Sequence, residues 1–388
     1  MTTLRCDVVI IGGGVIGLSI AAHLAASGTH SVMVVERGAD HAQGSTSRAT
    51  GGFRAQFGSA VNVRLSLLSL AKLECFVEEH GIDPGYTPSG YLFVAQSESA
   101  MRQLRLANEL QQAIGVLDAR VVDGDECRRI QPLLDSASIV GGTFSPRDGF
   151  IRPLGILNGY LATAKKHGVQ IRYGASAVRS RCDADVVLSV ELSDGTVVEA
   201  GQFVNASGAW AARVGDMFGE EIPVIPLKRQ VAVTEPTEVL TASSPMTIVA
   251  DDGWHTRPRD GRALLLLPAQ PQSSDPYSTS IENEWLEKLS SRTAEVAPEL
   301  AAVSIDRGRC WAGLYEVSPD GHALLGRSLN HSNFFLANGS SGHGVMHAPA
   351  IGEVVAQMIR GDRTSIDVSD LAPDRFKRGR PVQSIALL

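Results

Sequence analysis

The first forty residues alternate between apolar runs and short glycine-rich or charged breaks. Val8–Ile11 is a short apolar run, three glycines follow it, and Val15–Ala26 is a second and longer apolar run. A third run, Val32–Val35, ends on the charged pair Glu36 and Arg37. Short apolar runs bounded by glycine are typical of buried parallel strands, and a longer run is typical of a packed helix. The pattern therefore predicts a strand, a helix and a second strand.

The glycines between the first strand and the helix have the spacing of a dinucleotide-binding turn. Gly12 allows the tight turn, Gly14 lets the backbone approach a pyrophosphate, and Gly17 lets the helix pack close to the strand. Glu36 follows about 20 residues later, where a carboxylate accepts from a ribose hydroxyl. A glycine-rich turn that binds nothing does not require the strand, the helix and the acid at these distances. The residues expected to contact the nucleotide are Gly12, Gly14, Val15, Ile16, Gly17, Glu36 and Arg37.

A membrane span or a secretory leader would also explain an apolar stretch in this part of the chain. The stretch 8–26 has about the length of a span, which needs about 20 apolar residues. It contains clustered glycines and His23, however, and charged residues follow it closely. No basic segment precedes it, as a secretory leader requires. We therefore expect no transmembrane span.

Apolar periodicity and turn residues predict further elements. Leu67, Leu70 and Leu73 recur at three-residue steps and share one face of a helix. The pair Asp194 and Gly195 between two apolar runs is a strong hairpin signal. Helices are expected over 60–80, 97–115 and 155–167, and strands over 91–94, 169–173, 186–192, 196–200 and 203–208.

The order of these elements predicts an α/β fold with a discontinuous first domain. A chain of 388 residues is too long for one simple core, so two domains are expected. The helix at 155–167 and the strands after it would rejoin the first sheet. The prediction is a Rossmann-like nucleotide-binding domain and a second, mixed-sheet α+β domain for the substrate. The first takes residues 1–85, 150–215 and 306–388, and the second takes 86–149 and 216–305.

Composition narrows the class of partner. The net charge of −7 argues against nucleic acid, which is bound by a basic surface, and the basic run 375–380 is interpreted as a solvated tail. The five cysteines are scattered and form no Cys-x-x-Cys pair. This usage suits a reducing compartment, with free thiols and no metal centre. We expect a cytoplasmic location and no nucleic-acid partner.

A second glycine cluster, Gly339–Gly344, runs directly into an apolar helix. The positive end of a helix dipole stabilises negative charge, such as that of a reduced flavin around N1 and its C2 carbonyl. His343 and His347 are four residues apart, which is also the spacing of metal ligands on a helix. No third ligand accompanies them, so we interpret this segment as a cofactor loop without a metal.

With both glycine clusters in view, the chain resembles the FAD-dependent D-amino-acid oxidase superfamily. Its nearest resemblance is to the sarcosine oxidase and dye-linked proline dehydrogenase β-subunit group. The resemblance covers nearly the whole chain, and several separate motifs occur in the order of the family. These motifs, besides the two glycine clusters, are residues 45–54, 205–210, 225–230 and 311–320.

The resemblance implies FAD bound in an extended pose. Adenosine would lie along the first glycine turn, Glu36 and the backbone near Val178. The isoalloxazine would rest against Thr50–Gly52 and the Gly342 loop. The further cofactor contacts that the resemblance implies are Ser45, Thr46, Arg48, Thr50, Gly51, Gly52, Val178, Ser207, Gly208, Trp210, Gly313, Gly339, Gly342, His343, Gly344, Val345 and Met346.

The family's substrates are amino acids or N-alkyl amino acids, and the resemblance also implies residues that contact them. Arg54 matches the arginine that grips the substrate carboxylate, for which a planar guanidinium is suited. Tyr315 matches the aromatic residue of the family's Tyr-x-x-Thr-x-Asp segment. Trp254 and His255 fall near an aromatic residue that lines the substrate site. The alternatives are a surface arginine at position 54, a core tyrosine at 315 and a strand-edge role for 254 and 255.

Three departures from the monomeric sarcosine oxidases modify this expectation. Gly313 stands where those enzymes carry the cysteine that tethers flavin, and Cys310 lies upstream, so we expect non-covalent FAD. No lysine occurs over 257–270, where the family has one that assists oxygen reduction. Met346 replaces a lysine that helps to hold the carboxylate. The second departure favours a dehydrogenase over a fast oxidase.

The reaction implied is oxidation of a C–N bond by hydride transfer to flavin N5, with a neutral amine and no strong base. The electron acceptor is left open between a quinone, a second flavin and oxygen. An oxidase that releases peroxide and a non-catalytic FAD-binding assembly protein are the alternatives. An NAD(P)-linked reductase would need a second dinucleotide turn, which the sequence lacks. The resemblance also makes a partner subunit in a hetero-oligomer possible.

Overall fold

The computed structural model describes residues 2–29, 31–134, 139–270 and 274–387. The described strands are β1 Thr3–Ile11, β2 Val32–Val35, β3 Gly52–Phe53, β4 Tyr91–Ala95, β5 Arg120–Asp123, β6 Gly141–Ser145, β7 Gly149–Phe150, β8 Gln170–Arg172, β9 Ala177–Asp183, β10 Val186–Leu192, β11 Val197–Asn205, β12 Ile225–Val233, β13 Met246–Val249, β14 His255–Arg259, β15 Arg262–Leu266, β16 Trp311–Val317, β17 Leu324–Arg327 and β18 Phe334–Asn338. The described helices are α1 Val15–Ala26, α2 Ala60–Glu74, α3 Phe76–His80, α4 Glu98–Ile114, α5 Gly124–Ile130, α6 Pro153–Lys166, α7 Ala211–Met217, α8 Asn283–Val296, α9 Pro298–Ala301 and α10 Gly344–Arg360.

The first sheet is built around the opening strand of the chain. Its order is β17-β18-β11-β1-β2-β8, and β1 pairs in parallel with both β2 and β11. Strands buried on both faces require continuous apolar runs, which explains the sequences of β1 and β2. Helices α1, α6, α10 and α2 pack together over one face, while α7 and the β9–β10 hairpin cover the other. The predicted strand, helix and second strand are confirmed.

The second sheet has the order β16-β12-β15-β14-β13-β4-β6-β5. Its strands come mostly from the two ranges that the sequence assigned to the substrate domain. Strand β16 is the exception, because the sequence placed it in the nucleotide domain whereas it pairs antiparallel with β12 along seven residue pairs. Its residues alternate between half-buried and buried, which is typical of a strand with one face on a core and the other on a cavity.

Most predicted elements are present, and two differ in extent. The helix expected over 60–80 is divided at Cys75 into α2 and α3. The two strands expected over 196–208 form one strand, β11, because it pairs with β1 from Val197 to Asn205. Helix α4 begins after Ser97, whose hydroxyl accepts from the N–H of Ala100. Among the described helices, none has the length and hydropathy needed to cross a bilayer.

Candidate active site

A cavity of about 1200 Å³ lies between the two sheets. Its walls come from the β1–α1 turn, the loop before β3, strands β12 and β16 of the second sheet, and the loop that leads into α10. The cavity therefore joins both glycine clusters, although more than 300 residues separate them in the sequence.

The first glycine turn forms one end of this cavity. Gly12 has φ +115°, and a Cβ there would lie 2.3 Å from the carbonyl oxygen of Ala206. A Cβ on Gly17 would lie 2.0 Å from the carbonyl oxygen of Gly12. Both positions therefore exclude side chains, and α1 begins after Gly14 without a side-chain cap. The N–H of Val15 donates to Thr46 Oγ1 at 3.2 Å, and the other N–H groups of the first turn suit an anion such as a pyrophosphate.

Glu36 is held in place beside this turn. One of its carboxylate oxygens accepts from the N–H of Gly13 at 2.8 Å, and the other accepts from the N–H of Gly38 at 2.7 Å. The carboxylate lines the cavity within reach of the glycine turn. Its position fits the predicted ribose contact.

A stack of aromatic and guanidinium groups forms a side wall at the same end. The guanidinium of Arg37 lies 3.4 Å from the ring centroid of Trp210, whose ring stacks on Tyr277 at 5.5 Å between centroids. Arg213 lies over the other ring of the pair, 4.1 Å from the centroid of Tyr277. Sequence reasoning included Arg37 and Trp210 and missed the other two, because 277 is remote in sequence and no spacing connects it to residue 210.

The loop before β3 is attached to the backbone of β16. The Ser45 hydroxyl donates to the carbonyl of Leu314 at 2.7 Å, and the Arg48 guanidinium donates to the carbonyl of Ala312 at 2.7 Å. A Cβ on Gly313 would lie 3.0 Å from the Cβ of Arg48. The contact with Arg48 therefore favours glycine at position 313, which is the position that the sequence analysis matched to the flavin-tethering cysteine of the monomeric sarcosine oxidases.

Arg257 fixes the next part of the loop and is a residue that sequence reasoning missed. Its guanidinium donates to the carbonyls of Thr50 and Gly51 at 2.6 and 2.7 Å and lies over the ring of Phe150 at 3.8 Å. Burial lowers the pKa of Arg257 to about 10. Arg259, Asp260 and Arg262 are charged in the same segment, so no sequence signal distinguishes Arg257 from its neighbours.

The second glycine cluster forms the opposite end of the cavity. A Cβ on Gly342 would lie 2.3 Å from the ring of Tyr315, so a side chain at position 342 would clash with this ring. Helix α10 begins after His343 without a side-chain cap, and its first residues line the cavity. The buried atoms Glu316 Oε2 and Ser340 Oγ have no hydrogen-bond partner among the described residues. These polar groups and the helix N-terminus fit a large cofactor with polar edges.

Arg54 is buried in the wall of the cavity near this end, with 5% of its surface exposed. It donates to the carbonyl of Gln56 at 2.5 Å and to His343 Nε2 at 3.3 Å, and it lies over the ring of Phe57. The nearby Asp148 carboxylate accepts from Ala55 N–H and from the Gln56 amide. Among the residues described, no carboxylate lies within 4 Å of the Arg54 guanidinium, although Asp148 interacts with it at longer range, and burial is the main cause that lowers the pKa of Arg54.

The histidines around Arg54 are neutral at physiological pH. Burial lowers the pKa of His255 to about 4, that of His347 to about 3, and that of His343 well below its usual range. His255 Nδ1 donates to the carbonyl of Gly253, and His347 Nε2 forms a hydrogen bond with the Ser66 hydroxyl. The described part of the chain contains no group of three or more His, Cys, Asp or Glu that could hold a metal ion.

Most of the predicted contacts line this one cavity. From the first cluster and the following loop these are Gly12, Gly14, Val15, Ile16, Glu36, Arg37, Ser45, Thr46, Arg48, Thr50, Gly51, Gly52 and Arg54. From later segments they are Ser207, Gly208, Trp210, His255, Gly313, Tyr315, Gly342, His343, Gly344, Val345 and Met346.

Four predicted contacts lie outside the cavity lining, and one of them, Gly17, packs against the carbonyl of Gly12 instead. Trp254 is fully buried in the core of the second sheet, where its indole N–H donates to Thr293 Oγ1 at 3.0 Å. Val178 is 48% exposed, and the residues just before it line the cavity instead. Gly339 forms a turn with φ +73°, and a Cβ there would meet Leu324 in the core. Trp254, Val178 and Gly339 are therefore not among the residues that line the cavity, and the predicted contacts of their side chains or backbone with a bound molecule find no support there.

Comparison with known proteins agrees with this arrangement. The DAO family model, described as FAD dependent oxidoreductase, matches residues 7–358. FAD-dependent oxidoreductase domain-containing protein 1 of Xenopus laevis is 28% identical over 97% of this chain and 84% of its own length. Mitochondrial dimethylglycine dehydrogenase of Mus musculus is 27% identical over 98% of this chain and 45% of that protein. The crystal structure of L-proline dehydrogenase from P. horikoshii matches with a TM-score of 0.90 and 28% identity, over 98% of this chain and 100% of that one.

The buried Glu316 gives a pH-dependent stability that can be measured in protein freed of cofactor. Burial raises the pKa of Glu316 from 4.5 to about 7, so the folded protein holds a proton that the unfolded chain releases. This contribution to stability is complete below about pH 4.5 and is lost as the pH rises to about 7, at about 1.4 kcal/mol per pKa unit. Glu316→Gln stays neutral. We expect its melting temperature, relative to that of the unchanged protein, to increase between about pH 5 and about pH 8.

The control for this measurement is Glu299→Gln, which changes an exposed carboxylate in α9. Its melting temperature should follow that of the unchanged protein across the same pH range. A difference between Glu316→Gln and the unchanged protein that does not vary with pH would show that Glu316 is ionised throughout.

Proposed function

The chain belongs to the FAD-dependent oxidoreductase family, and we propose that it oxidises the C–N bond of an amino acid or N-alkyl amino acid. The observation that carries this proposal is Arg54, a buried cation that lines the cavity without an ion-pair partner among the described residues. A buried charge without a directly paired counter-ion is costly, and a bound carboxylate would supply that direct pair. The names of two relatives, dimethylglycine dehydrogenase and L-proline dehydrogenase, support the same class of substrate.

The residues of this chain would bind and orient such a substrate. When bound, FAD supplies a two-electron acceptor for the hydrogen on the substrate carbon. Arg54 would hold the carboxylate through its planar fork, and neutral His343 accepts from Arg54 and keeps the guanidinium in place. Tyr315 and Met346 would border the rest of the substrate.

The protonation states favour a substrate whose amine is neutral. The Nδ1–H of His255 donates to the carbonyl of Gly253, which leaves Nε2 as an acceptor. With a pKa lowered to about 4 by burial, His255 is too weak a base to take a proton from an ammonium group. Burial also raises the pKa of Tyr315, which keeps its hydroxyl protonated. Positioning by Arg54, rather than proton abstraction, would then supply much of the rate.

The proposal also concerns the molecule that accepts electrons from the reduced FAD. The absence of a lysine over 257–270 supports transfer to a quinone, a second flavin or a dye rather than rapid peroxide formation. Arg229 belongs to the motif 225–230, to which sequence reasoning gave no role; it lines the cavity and its guanidinium lies 5.6 Å from the centroid of the Tyr315 ring. This cation keeps oxygen reduction as the second candidate, because positive charge beside a flavin stabilises superoxide.

Non-covalent attachment of FAD is also part of the proposal. Cys310 donates its thiol hydrogen to the carbonyl of Asp306 and packs against the core of the second sheet. Burial raises the pKa of this thiol, which makes it a poor nucleophile. Gly313 lines the cavity and offers no sulfur.

Acid precipitation tests the attachment directly. We expect denatured protein to release its FAD, so that the yellow colour stays in the supernatant and the pellet is colourless. A yellow pellet would show a covalent link. Cys310→Ser would then serve as the control, because its pellet would lose the colour only if this cysteine forms the bond.

Substitution of Arg54 tests the carboxylate contact. We expect Arg54→Ala to lower kcat/KM by about 100- to 1,000-fold, mainly through KM, because truncating one partner of a buried charge pair costs about 2–5 kcal/mol. Arg54→Lys keeps the positive charge but loses the planar two-pronged guanidinium, so its kcat/KM should lie between that of Arg54→Ala and that of the unchanged protein. Arg147→Ala is the matched control, since Arg147 is exposed and paired with Glu74. An unchanged KM in Arg54→Ala for every oxidised amino acid would remove Arg54 from the substrate site.

An anaerobic bleaching screen tests the reaction and the acceptor together. D- and L-amino acids and N-alkyl amino acids are added to the holoprotein without oxygen, and flavin absorbance is followed. We expect at least one of them to bleach the flavin, and the reduced protein to pass electrons faster to a dye than to oxygen. Peroxide formation at the dye rate would identify an oxidase. A flavin that no amino acid bleaches would favour the non-catalytic assembly role.

A further inference from the structure

One wall of the cavity is formed by residues near the end of the sequence, outside all of the motifs that the sequence analysis identified. We call Pro381–Leu387 the tail segment. Ser384, Ile385, Ala386 and Leu387 line the same cavity as Arg54 and Tyr315. The tail segment belongs to no helix or strand, so its place is set by individual contacts rather than by an element.

The beginning of the tail segment is attached to a buried ion pair. The N–H of Val382 donates to Asp320 Oδ2 at 2.9 Å. The same carboxylate accepts from the Arg375 guanidinium at 2.8 Å on each oxygen, and both side chains are almost completely buried. This ion pair fixes where the tail segment leaves the body of the protein, and it corrects the interpretation of 375–380 as a solvated tail, since Arg375 is buried while residues 377–380 are exposed.

The middle of the tail segment lies against the loop that carries Arg54. The N–H of Ile385 donates to the carbonyl of Gly58 at 2.9 Å. A Cβ on Gly58 would lie 2.0 Å from the carbonyl oxygen of Ile385. The two backbones are therefore in direct contact, and glycine at position 58 is a condition of that contact.

The end of the tail segment places apolar side chains on the substrate side of the cavity. Leu387 is 7% exposed and belongs to a buried cluster with Tyr91, Phe93 and Met246, against which Ile385 also packs. The Arg54 guanidinium lies 5.3 Å from the centroid of the Phe93 ring, so the cluster borders the carboxylate site. The wall beside Arg54 is consequently apolar where it contacts the tail segment.

We propose that the tail segment is the specificity wall of the substrate site, with Leu387 and Ile385 setting the size of the substrate side chain that fits beside Arg54. The proposal rests on the proposed oxidation of an amino acid. An apolar wall favours a substrate with a small apolar side chain or N-alkyl group, because each methylene that fills such a pocket contributes to binding and each excess one is excluded. Shortening the wall would therefore shift the preference of the site from small substrates to larger ones.

The test compares two altered proteins with a control, all as holoproteins. Leu387→Ala shortens the wall by one side chain. A chain ended after Gln383 removes the lining residues and keeps the bond between Val382 and Asp320. Gln383→Ala is the control, because this side chain is exposed and lies outside the cavity lining. FAD content and melting temperature show whether each protein is folded.

The first measurement is kcat/KM with a dye acceptor for a series of amino acids of increasing side-chain size. We expect the ratio of kcat/KM for large over small substrates to rise by about 10- to 100-fold in Leu387→Ala, since a few methylenes are worth about that much in a hydrophobic pocket. The control should keep the ratio of the unchanged protein. An unchanged ratio in Leu387→Ala would overturn the proposal, even if the shortened chain failed to fold.

The second measurement does not depend on turnover. Iodide quenches flavin fluorescence by collision, and opening the wall should increase quenching in the shortened chain and in Leu387→Ala but not in Gln383→Ala. Increased quenching without any amino acid oxidised would retain the tail segment as the wall and reject the amino-acid reaction. Oxidation with unchanged selectivity and unchanged quenching would retain the reaction and reject the wall.

Discussion

The backbone of strand β16 is the part of the molecule on which the arrangement of the cavity depends. Its carbonyls accept from Ser45 and Arg48 of the loop before β3, and the carbonyl of Glu316 accepts from the N–H of Ser341 in the second glycine cluster. Along its other edge β16 pairs with β12 in the second sheet. One strand thus connects both sides of the cavity, and each of these bonds uses a backbone group that would otherwise need another partner.

The electrostatics of the cavity follow from this arrangement. Arg54 is a buried cation and Arg229 a half-buried cation on the lining, while His255 and His343 beside them are held neutral by burial. The N-terminus of α10 adds partial positive charge at the same end. Desolvated positive groups around neutral ones favour an anionic ligand and a cofactor that becomes negative on reduction. The opposite end presents the first helix N-terminus, which suits a pyrophosphate.

Sequence reasoning located the cavity residues best where the backbone itself is the functional group. A glycine that must adopt positive φ or accept a close carbonyl leaves a direct mark in the sequence, as at Gly12 and Gly342. Side chains on strands were located less well. Trp254 and His255 are neighbours, yet the first lies in the core and the second in the cavity, because adjacent residues of an extended chain point to opposite sides. An alignment error of one residue therefore assigns a core residue to the cavity, or a cavity residue to the core.

By itself, the sequence determined the opening βαβ unit, the glycine turn within it, and most helices and strands. These features are local, since they depend on apolar periodicity and on the few residues that tolerate tight turns. Only the tertiary structure decided that β16 joins the second sheet, that Arg257 holds the loop at Thr50, and that the tail segment lines the same cavity as Arg54. Each of these depends on contacts between residues far apart in the chain, whose formation is governed by burial and hydrogen-bond satisfaction in the folded protein rather than by any spacing in the sequence.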